Sequence, residues 1–332
     1  MKRHWLLLLL LAVIVGASVP LILGGRQVFT ELLRVPVVWL LGMVGLIFVC
    51  WNLNAWRLRL MLHGRAEGLG QRAALATVMA TEFSLNATPG GSGAPFAMAV
   101  LLRRHGVAPS TATAILAVDQ LTDLLVFLAL LPTLALYGLS NYLDLGGWWE
   151  LAVPFALLFA VFTLVVALAR HYRALMTLTG GWLKRLHVKR PRRFGLARST
   201  LRFRRGIEET LVVPRWRLML MFALCLSHWL LRYSVIFLAV RALGEQLDWT
   251  YGFFVQMVAM GAGHLTLLPG GAGGAEVAGA AMLSPWLGSL TTATVIVVWR
   301  FMTFYWYLIA GGLVMLFVTA RQARPLADGP PR

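Results

Sequence analysis

Pro89-Gly90-Gly91-Ser92-Gly93 and Pro269-Gly270-Gly271-Ala272-Gly273 are two related stretches that each interrupt a long apolar run. Proline removes a backbone donor and clustered glycines add conformational freedom, so each stretch predicts a break in its helix. Broken backbone at membrane depth is stable only where it is buried in protein or lines a wet cavity. A matched pair of Gly/Pro-interrupted segments in two halves of a chain is the sequence pattern of a transporter site.

The composition indicates a membrane protein. The 332 residues are 59% hydrophobic and 13% charged, with a mean hydropathy of +0.75, values typical of a polytopic α-helical membrane protein. The net charge of +17 lies mainly between the apolar runs. A positive-inside distribution explains that charge better than a nucleic-acid partner does. Cys50 and Cys225 fall inside apolar runs, which favours core packing.

Six apolar runs are long enough to span a bilayer, which takes about 20 residues. They lie at 5–24, 36–56, 110–137, 149–169, 216–241 and 289–318. Fourteen Lys and Arg residues occur in 170–217, a predicted cytoplasmic linker, and 325–332 is predicted to be a disordered tail. The basic residues favour cytoplasmic N- and C-termini in a bacterial inner membrane. A signal peptide cleaved near Gly16 is the alternative for the first run.

Two further apolar segments, 73–103 and 251–287, contain the glycine stretches. Their second arms are too short to cross about 30 Å at 1.5 Å per residue, so we predict re-entrant hairpins, with kinked full spans as the alternative. Residues 1–138 and 139–324 then each hold three crossings, and the second unit is inverted relative to the first. The predicted fold is an all-α polytopic membrane protein with about six transmembrane helices and two opposed re-entrant hairpins in an inverted repeat.

Charged residues inside the predicted spans are the first candidates for function. An arginine at the bilayer centre costs about 2.5–3.5 kcal/mol, so Arg232 and Arg300 should each have a partner or a wet cavity. Asp119 and Asp123 are four residues apart on one helical face and are natural partners for them. These groups either hold an anionic headgroup, since a guanidinium binds two phosphate oxygens at once, or form a salt bridge that fastens the third span to the sixth.

Two glutamates occupy mirrored positions beside the breaks. Glu82 lies seven residues before Pro89, and Glu276 lies seven after Pro269. An inverted repeat would place both around one central site, whereas a cap on a half-helix is the alternative for Glu276. The glycine turns are expected to offer free N–H groups to an anion. The predicted substrate-binding residues are Glu82, Asn86, Pro89, Gly90, Gly91, Gly93, Asp119, Asp123, Arg232, His264, Pro269, Gly270, Gly271, Gly273, Glu276 and Arg300.

At these residues the chain resembles the flippase-like membrane domain of lysylphosphatidylglycerol synthases (multiple peptide resistance factor), which also occurs as stand-alone membrane proteins. The resemblance is carried by the two glycine stretches, by Trp299-Arg300-Phe301 and by Gly311-Gly312, and it covers essentially the whole chain. It implies translocation of lipids between leaflets. We expect the synthase activity to be absent, because no soluble aminoacyl-transferase region follows the spans in the 332 residues.

The leading functional prediction is a flippase or transporter of an anionic or aminoacylated phospholipid, with a polyprenyl-phosphate carrier as an alternative substrate. The predicted partners are membrane lipids and a second copy of the chain in a homodimer. Catalytic motifs are absent from the sequence, and we predict no metal and no cofactor. A lipid-modifying membrane enzyme using Glu82, Asp119 and Asp123 is a second hypothesis. A scaffold whose basic segment 170–217 recruits partners is a third.

Overall fold

A computed structural model describes residues 2–141 and 189–323, together with isolated residues between 156 and 185. All regular elements in this part are helical. We number them α1 Lys2–Gly24, α2 Gln27–Arg34, α3 Val37–Leu62, α4 Gln71–Ala87, α5 Gly93–Arg103, α6 Pro109–Asn141, α7 Arg190–Leu211, α8 Arg215–Arg232, α9 Val235–Ala242, α10 Trp249–Leu265, α11 Gly274–Arg300 and α12 Trp306–Ala323. The predicted fourth span and tail fall largely outside the described residues.

Five helical stretches of the described part are long and apolar enough to cross a membrane. They are Leu7–Gly24, Val37–Leu62, Pro109–Leu130, Arg215–Ala242 and Pro269–Ala320. The last of these joins α11 to α12 through a turn of π-helix, Phe301–Tyr305. The protein is therefore an all-α, multi-pass membrane protein, as its composition indicates.

Both predicted helix breaks are present. A single turn of 3-10 helix, Pro89–Gly91, joins α4 to α5, and Pro269–Gly271 follows α10 and leads towards α11. Gly90 (φ 57°) and Gly270 (φ 62°) adopt left-handed conformations, which glycine tolerates because it lacks a Cβ. The helices on either side of each turn pack against each other, and the two turns are in contact. We call α4–α5 hairpin one.

A further irregularity divides α11 at Gly288 (φ 71°, ψ 168°). It separates residues 274–287, which with α10 we call hairpin two, from the segment that continues towards α12. The second arms of the hairpins are thus roughly 16 and 21 Å long at 1.5 Å per residue, against a bilayer core of about 30 Å. These lengths favour re-entry, which remains a prediction, as does the inverted repeat.

Each hairpin packs against a helix from the opposite end of the chain. Hairpin one contacts α12, and a Cβ added to Gly311 would lie 2.7 Å from the Met79 carbonyl oxygen. Hairpin two contacts α1, where a Cβ on Gly16 would lie 2.8 Å from Glu276 Oε1. Small residues at both contacts allow the helices to approach closely.

The basic helix α7 packs along α6. A Cβ on Gly206 would lie 2.8 Å from the Ala114 Cβ, and Arg65 donates a 2.7 Å hydrogen bond to Thr210 Oγ1. Arg65 also pairs with Glu209 at 3.2 Å. The part of the predicted linker that the structure describes is therefore a docked helix.

Candidate functional site

A cavity of about 170 Å³ lies between α3, hairpin one, α6, α8 and α10. Its polar lining consists of Asn54, Arg57, Thr77, Thr81, Glu82, Asn86, Asp119, Gln120, Asp123, His228, Arg232 and His264. Arg57 and His228 are each only 2% exposed, whereas Gln120 and His264 are exposed. The cavity therefore has a buried charged floor and an accessible rim.

Arg57 holds two carboxylates of α6 at the cavity floor. Its Nη2 pairs with Asp119 Oδ1, and its Nη1 donates to Asp123 Oδ1 at 3.0 Å. Asp123 Oδ1 also accepts hydrogen bonds from Trp229 Nε1 at 3.0 Å and Cys225 Sγ at 3.1 Å. The Asp119 side chain is 21% exposed, against 12% for Asp123. One guanidinium thus serves two acids, and Asp123 has the richer set of donors.

The sequence-based pairing of these aspartates with Arg232 or Arg300 is wrong. Helix α3 continues to Leu62, six residues past the predicted end of the second span, and this extension carries Arg57 into the protein interior. The salt bridges therefore fasten α6 to α3 and not the third span to the sixth. Arg57 is a functional candidate that the sequence analysis missed, because it directly follows the predicted end of the second span at residue 56.

Glu82 and Arg232 form a second ion pair on the cavity wall. Arg232 Nη1 donates to Glu82 Oε2 at 3.1 Å, and Glu82 Oε1 accepts from Asn54 Nδ2 at 3.1 Å. The Arg232 guanidinium carbon lies 4.6 Å from the centre of the Tyr307 ring, within cation–π range. This pair joins hairpin one to α8, so it links the two halves of the chain at the cavity.

Arg232 lies at a break between α8 and α9. Gln256 of α10 donates its Nε2 to the Arg232 carbonyl at 3.0 Å and accepts from the Ile236 N–H at 3.3 Å through Oε1. Backbone groups freed inside a membrane helix need such partners. Gln256 is 1% exposed. It is the one amide side chain in the apolar sequence of α10, and this isolation was the sequence signal for a buried hydrogen-bonding role.

Glu276 of hairpin two and Arg300, at the end of α11, do not line the cavity. Arg300 Nε is 2.6 Å from Glu276 Oε1, and the side chains are 3% and 0% exposed. Arg300 Nη2 donates to the Gly270 carbonyl at 3.0 Å, while Glu276 Oε2 accepts from the Gly273 N–H at 2.7 Å. The cap predicted as an alternative for Glu276 is confirmed. The idea that the mirrored acids surround one site is wrong, because only Glu82 lines the cavity.

The N–H groups of the glycine turns are largely occupied by the turns themselves. Gly91 donates to the Thr88 carbonyl at 3.1 Å, and Gly93 donates to Thr88 Oγ1 at 2.8 Å. In the second turn, Gly271 donates to the Leu268 carbonyl at 3.0 Å. The prediction of a free anion-binding nest is therefore wrong for these amides. The turn residues Pro89, Gly90, Gly91, Gly93, Pro269, Gly270, Gly271 and Gly273 do not line the cavity.

The two remaining predicted polar residues, Asn86 and His264, belong to the cavity. Asn86 and His264 line the cavity with Glu82, Asp119, Asp123 and Arg232. Asn86 donates to the Glu82 carbonyl at 2.9 Å, and His264 Nδ1 lies 2.7 Å from the Met260 carbonyl oxygen. Six of the sixteen predicted residues thus line the cavity, and the other ten belong to the glycine turns or bond to them.

A family model described as lysylphosphatidylglycerol synthase TM region matches residues 9–311. The chain belongs to this family. The match includes all the helices that surround the cavity and both glycine turns. This member of the lysylphosphatidylglycerol synthase TM region family is also similar to a UPF0104 membrane protein of Archaeoglobus fulgidus. The two are 22% identical over 286 residues, which cover 83% of this chain and 85% of that protein.

Several buried polar atoms of this family member have no hydrogen-bond partner within the described residues. They include both ring nitrogens of His228, Asn54 Oδ1 and Thr81 Oγ1, all on residues that line the cavity. Buried polar groups are normally satisfied, and exceptions of this kind point to a bound molecule or water. No cluster of three His, Cys, Asp or Glu residues suited to a metal occurs among the residues described.

Proposed function

We propose that this protein is a lipid flippase, or lipid transporter, whose cavity holds the headgroup of an anionic or aminoacylated phospholipid. The observation that carries the proposal is the cavity itself, in which five charged side chains meet between membrane-spanning helices. Charged groups at such a position are costly, and they mark substrate pathways in membrane proteins. The family relationship supports a role connected with membrane lipids.

The two ends of the cavity offer different contacts to a headgroup. Arg232 is matched by a single carboxylate, Glu82, so its guanidinium retains donors for a phosphate. Asp119 is partly exposed to the cavity and can accept a hydrogen bond from an amine or hydroxyl. The acyl chains would remain in the bilayer while the headgroup exchanges its hydration shell for these groups.

Movement of the lipid would follow from alternate opening of the cavity to the two sides. The Glu82–Arg232 pair joins hairpin one to α8, so its formation and rupture would accompany that motion. The sequence carries no nucleotide-binding motif, and we propose downhill or ion-coupled transport. On this view the protein is not an enzyme, resides in the bacterial inner membrane and has both termini in the cytoplasm.

Reconstitution into liposomes tests the proposal. A panel of headgroup-labelled phosphatidylglycerol, aminoacylated phosphatidylglycerol, phosphatidylethanolamine and polyprenyl phosphate would be assayed for movement between leaflets. We expect at least one lipid to move, and Glu82→Gln and Asp119→Asn to slow it by about tenfold, equivalent to about 1.4 kcal/mol. Glu31, which pairs with exposed Arg34 and does not line the cavity, provides a matched control, Glu31→Gln, that should transport normally.

Two outcomes would contradict the proposal. Full transport by folded Glu82→Gln and Asp119→Asn variants would remove the cavity from the pathway. Recovery of a chemically altered lipid by mass spectrometry, with no movement between leaflets, would favour the lipid-modifying enzyme instead.

A further inference from the structure

The charges of the described residues that line the cavity do not balance. Three carboxylates, those of Glu82, Asp119 and Asp123, face the two guanidinium groups of Arg57 and Arg232. The Glu82–Arg232 pair is neutral. The excess negative charge therefore belongs to Asp119 and Asp123, which share the single guanidinium of Arg57. An uncompensated charge in low-dielectric surroundings is costly, and binding of one cation would relieve it.

The hydrogen bonds identify the carboxylate that would take up the cation. Asp123 accepts from Arg57, Trp229 and Cys225. Glu82 likewise has two donors, and loss of its negative charge would weaken both. Asp119 relies on the shared guanidinium of Arg57, and as the most exposed of the three acids it is the one that a proton from the rim can reach. Hydrogen bonds to the charged form favour that form. The negative charge of Asp119 is therefore the least stabilised by hydrogen bonds, and Asp119 should take up a cation most readily.

The groups that face Asp119 come from every helix around the cavity. Arg57 of α3 favours the carboxylate, whereas Glu82 of α4 and Asp123 of α6 disfavour it by repulsion. Helix α8 contributes Cys225, His228 and Arg232, with Tyr233 directly after it, and α10 contributes His264. A neutral imidazole offers one donor and one acceptor, and His228 has neither occupied within the described residues. The same cavity therefore holds both Asp119 and the His228 ring, whose nitrogens have no partner within the described residues. The exposed side chains of Gln120 and His264 form its rim, through which water can reach Asp119.

We propose that Asp119 is a proton-binding site, and that a proton is the cation which balances the cavity. The proton adds to a carboxylate oxygen from water at the rim and returns there on release, so no other reactant is needed. A metal ion fits less well, because no group of metal-ligating residues occurs in the described part of the chain. Exchange of this proton during headgroup entry and exit rests on the proposed function, whereas proton binding does not.

Infrared difference spectroscopy tests proton binding without any lipid substrate. Purified full-length protein in nanodiscs would be compared at mildly acidic and mildly alkaline pH. We expect a protonated carboxyl band at the high frequency of a poorly solvated acid, sensitive to deuterium exchange. The band should be absent in Asp119→Asn, shifted in Asp119→Glu and unchanged in Glu31→Gln, a control outside the cavity. An unaltered band in folded Asp119→Asn, or no such band in the wild type, would overturn the proposal.

A second measurement separates this inference from the proposed function. In liposomes, transport by the wild type should change by up to about tenfold per pH unit on one side of its midpoint, as expected for one proton. Asp119→Asn should give a flat pH profile, and replacing sodium with choline should change nothing. A dependence on sodium would overturn the choice of a proton. If no lipid moves at all, the proposed function fails, while the infrared result still decides whether Asp119 binds a proton.

Discussion

Two arginine–glutamate pairs, each with its glutamate in one of the hairpins, differ in what surrounds them. Glu276–Arg300 is at most 3% exposed and is tied to the backbone at Gly270 and Gly273. Glu82–Arg232 at hairpin one is 11–15% exposed and faces the cavity. The first pair closes a turn, and the second leaves room for a ligand.

This difference shows that one sequence signature can serve two purposes. Both hairpins have the same Pro-Gly-Gly turn and an acid seven residues from the proline. In hairpin two the acid follows the turn and caps the next helix, whereas in hairpin one it precedes the turn by two helical turns and reaches across to α8. The direction of the offset decides whether the acid bonds to its own turn or to another helix.

The largest expected effect is a loss of stability at the Glu276–Arg300 pair. Glu276→Ala would leave the Arg300 guanidinium buried without its carboxylate, and breaking such a pair costs about 3–5 kcal/mol. Chemical or thermal unfolding in detergent micelles would measure the loss. The double variant Glu276→Leu with Arg300→Met is the matched control, because it removes both charges and should recover much of the stability. A loss below about 1 kcal/mol in the single variant would show that the pair is not structural.

The next effect concerns the anchor of hairpin one. Gly311→Ala would place a methyl group 2.7 Å from the Met79 carbonyl oxygen and 2.8 Å from the Phe83 Cβ, so α12 and α4 must separate. We expect a loss of about 1–3 kcal/mol in unfolding free energy. Gly42→Ala is the control, since that position in α3 has open space around it. Equal stability of the two variants would contradict the close helix contact.

A smaller change in stability is expected at the Glu82–Arg232 pair. Glu82→Gln retains an oxygen for Asn54 and leaves Arg232 in a cavity that water can reach, so the loss should be about 1 kcal/mol or less. Lipid transport should nevertheless fall by about tenfold. Unfolding and transport measured on the same preparation would test this separation. A stability loss as large as that of Glu276→Ala would mean that both pairs have the same structural role.

The smallest expected effect on stability is at His228. Because its ring makes no hydrogen bond within the described residues, His228→Leu should change the unfolding free energy by roughly 0.5 kcal/mol or less. Headgroup binding should weaken several-fold, which a lipid-binding titration in nanodiscs would detect. Unchanged binding by this variant would exclude the imidazole from the site.

Local chemistry explains which parts of the fold could be predicted. Proline and glycine act on their own backbone, so the breaks at Pro89 and Pro269 are readable from the sequence, as is the end of hairpin two near Gly288. Apolar run lengths likewise predict the spanning helices. The multi-pass, all-α fold therefore follows from composition and local pattern alone.

The ion pairs could not be read in that way, because their partners are far apart in the chain. Arg57 and Arg59 are two residues apart, yet Arg57 is buried and Arg59 is exposed. Only the packing of α6 against α3, more than sixty residues away, distinguishes them. The sequence analysis named four of the five charged residues that line the cavity but assigned the aspartates to the wrong arginines.

The contact between α1 and hairpin two has a consequence for the order in which the chain assembles. Gly16 lies against Glu276, so α1 is synthesised about 260 residues before its partner. Helix α7, by contrast, packs on α6 and Arg65, which leave the ribosome before it. Helices α3 to α7 can therefore pack together before hairpin two is made, while α1 has no packed partner from that hairpin. Closure of hairpin two onto α1 would then be among the last steps of folding.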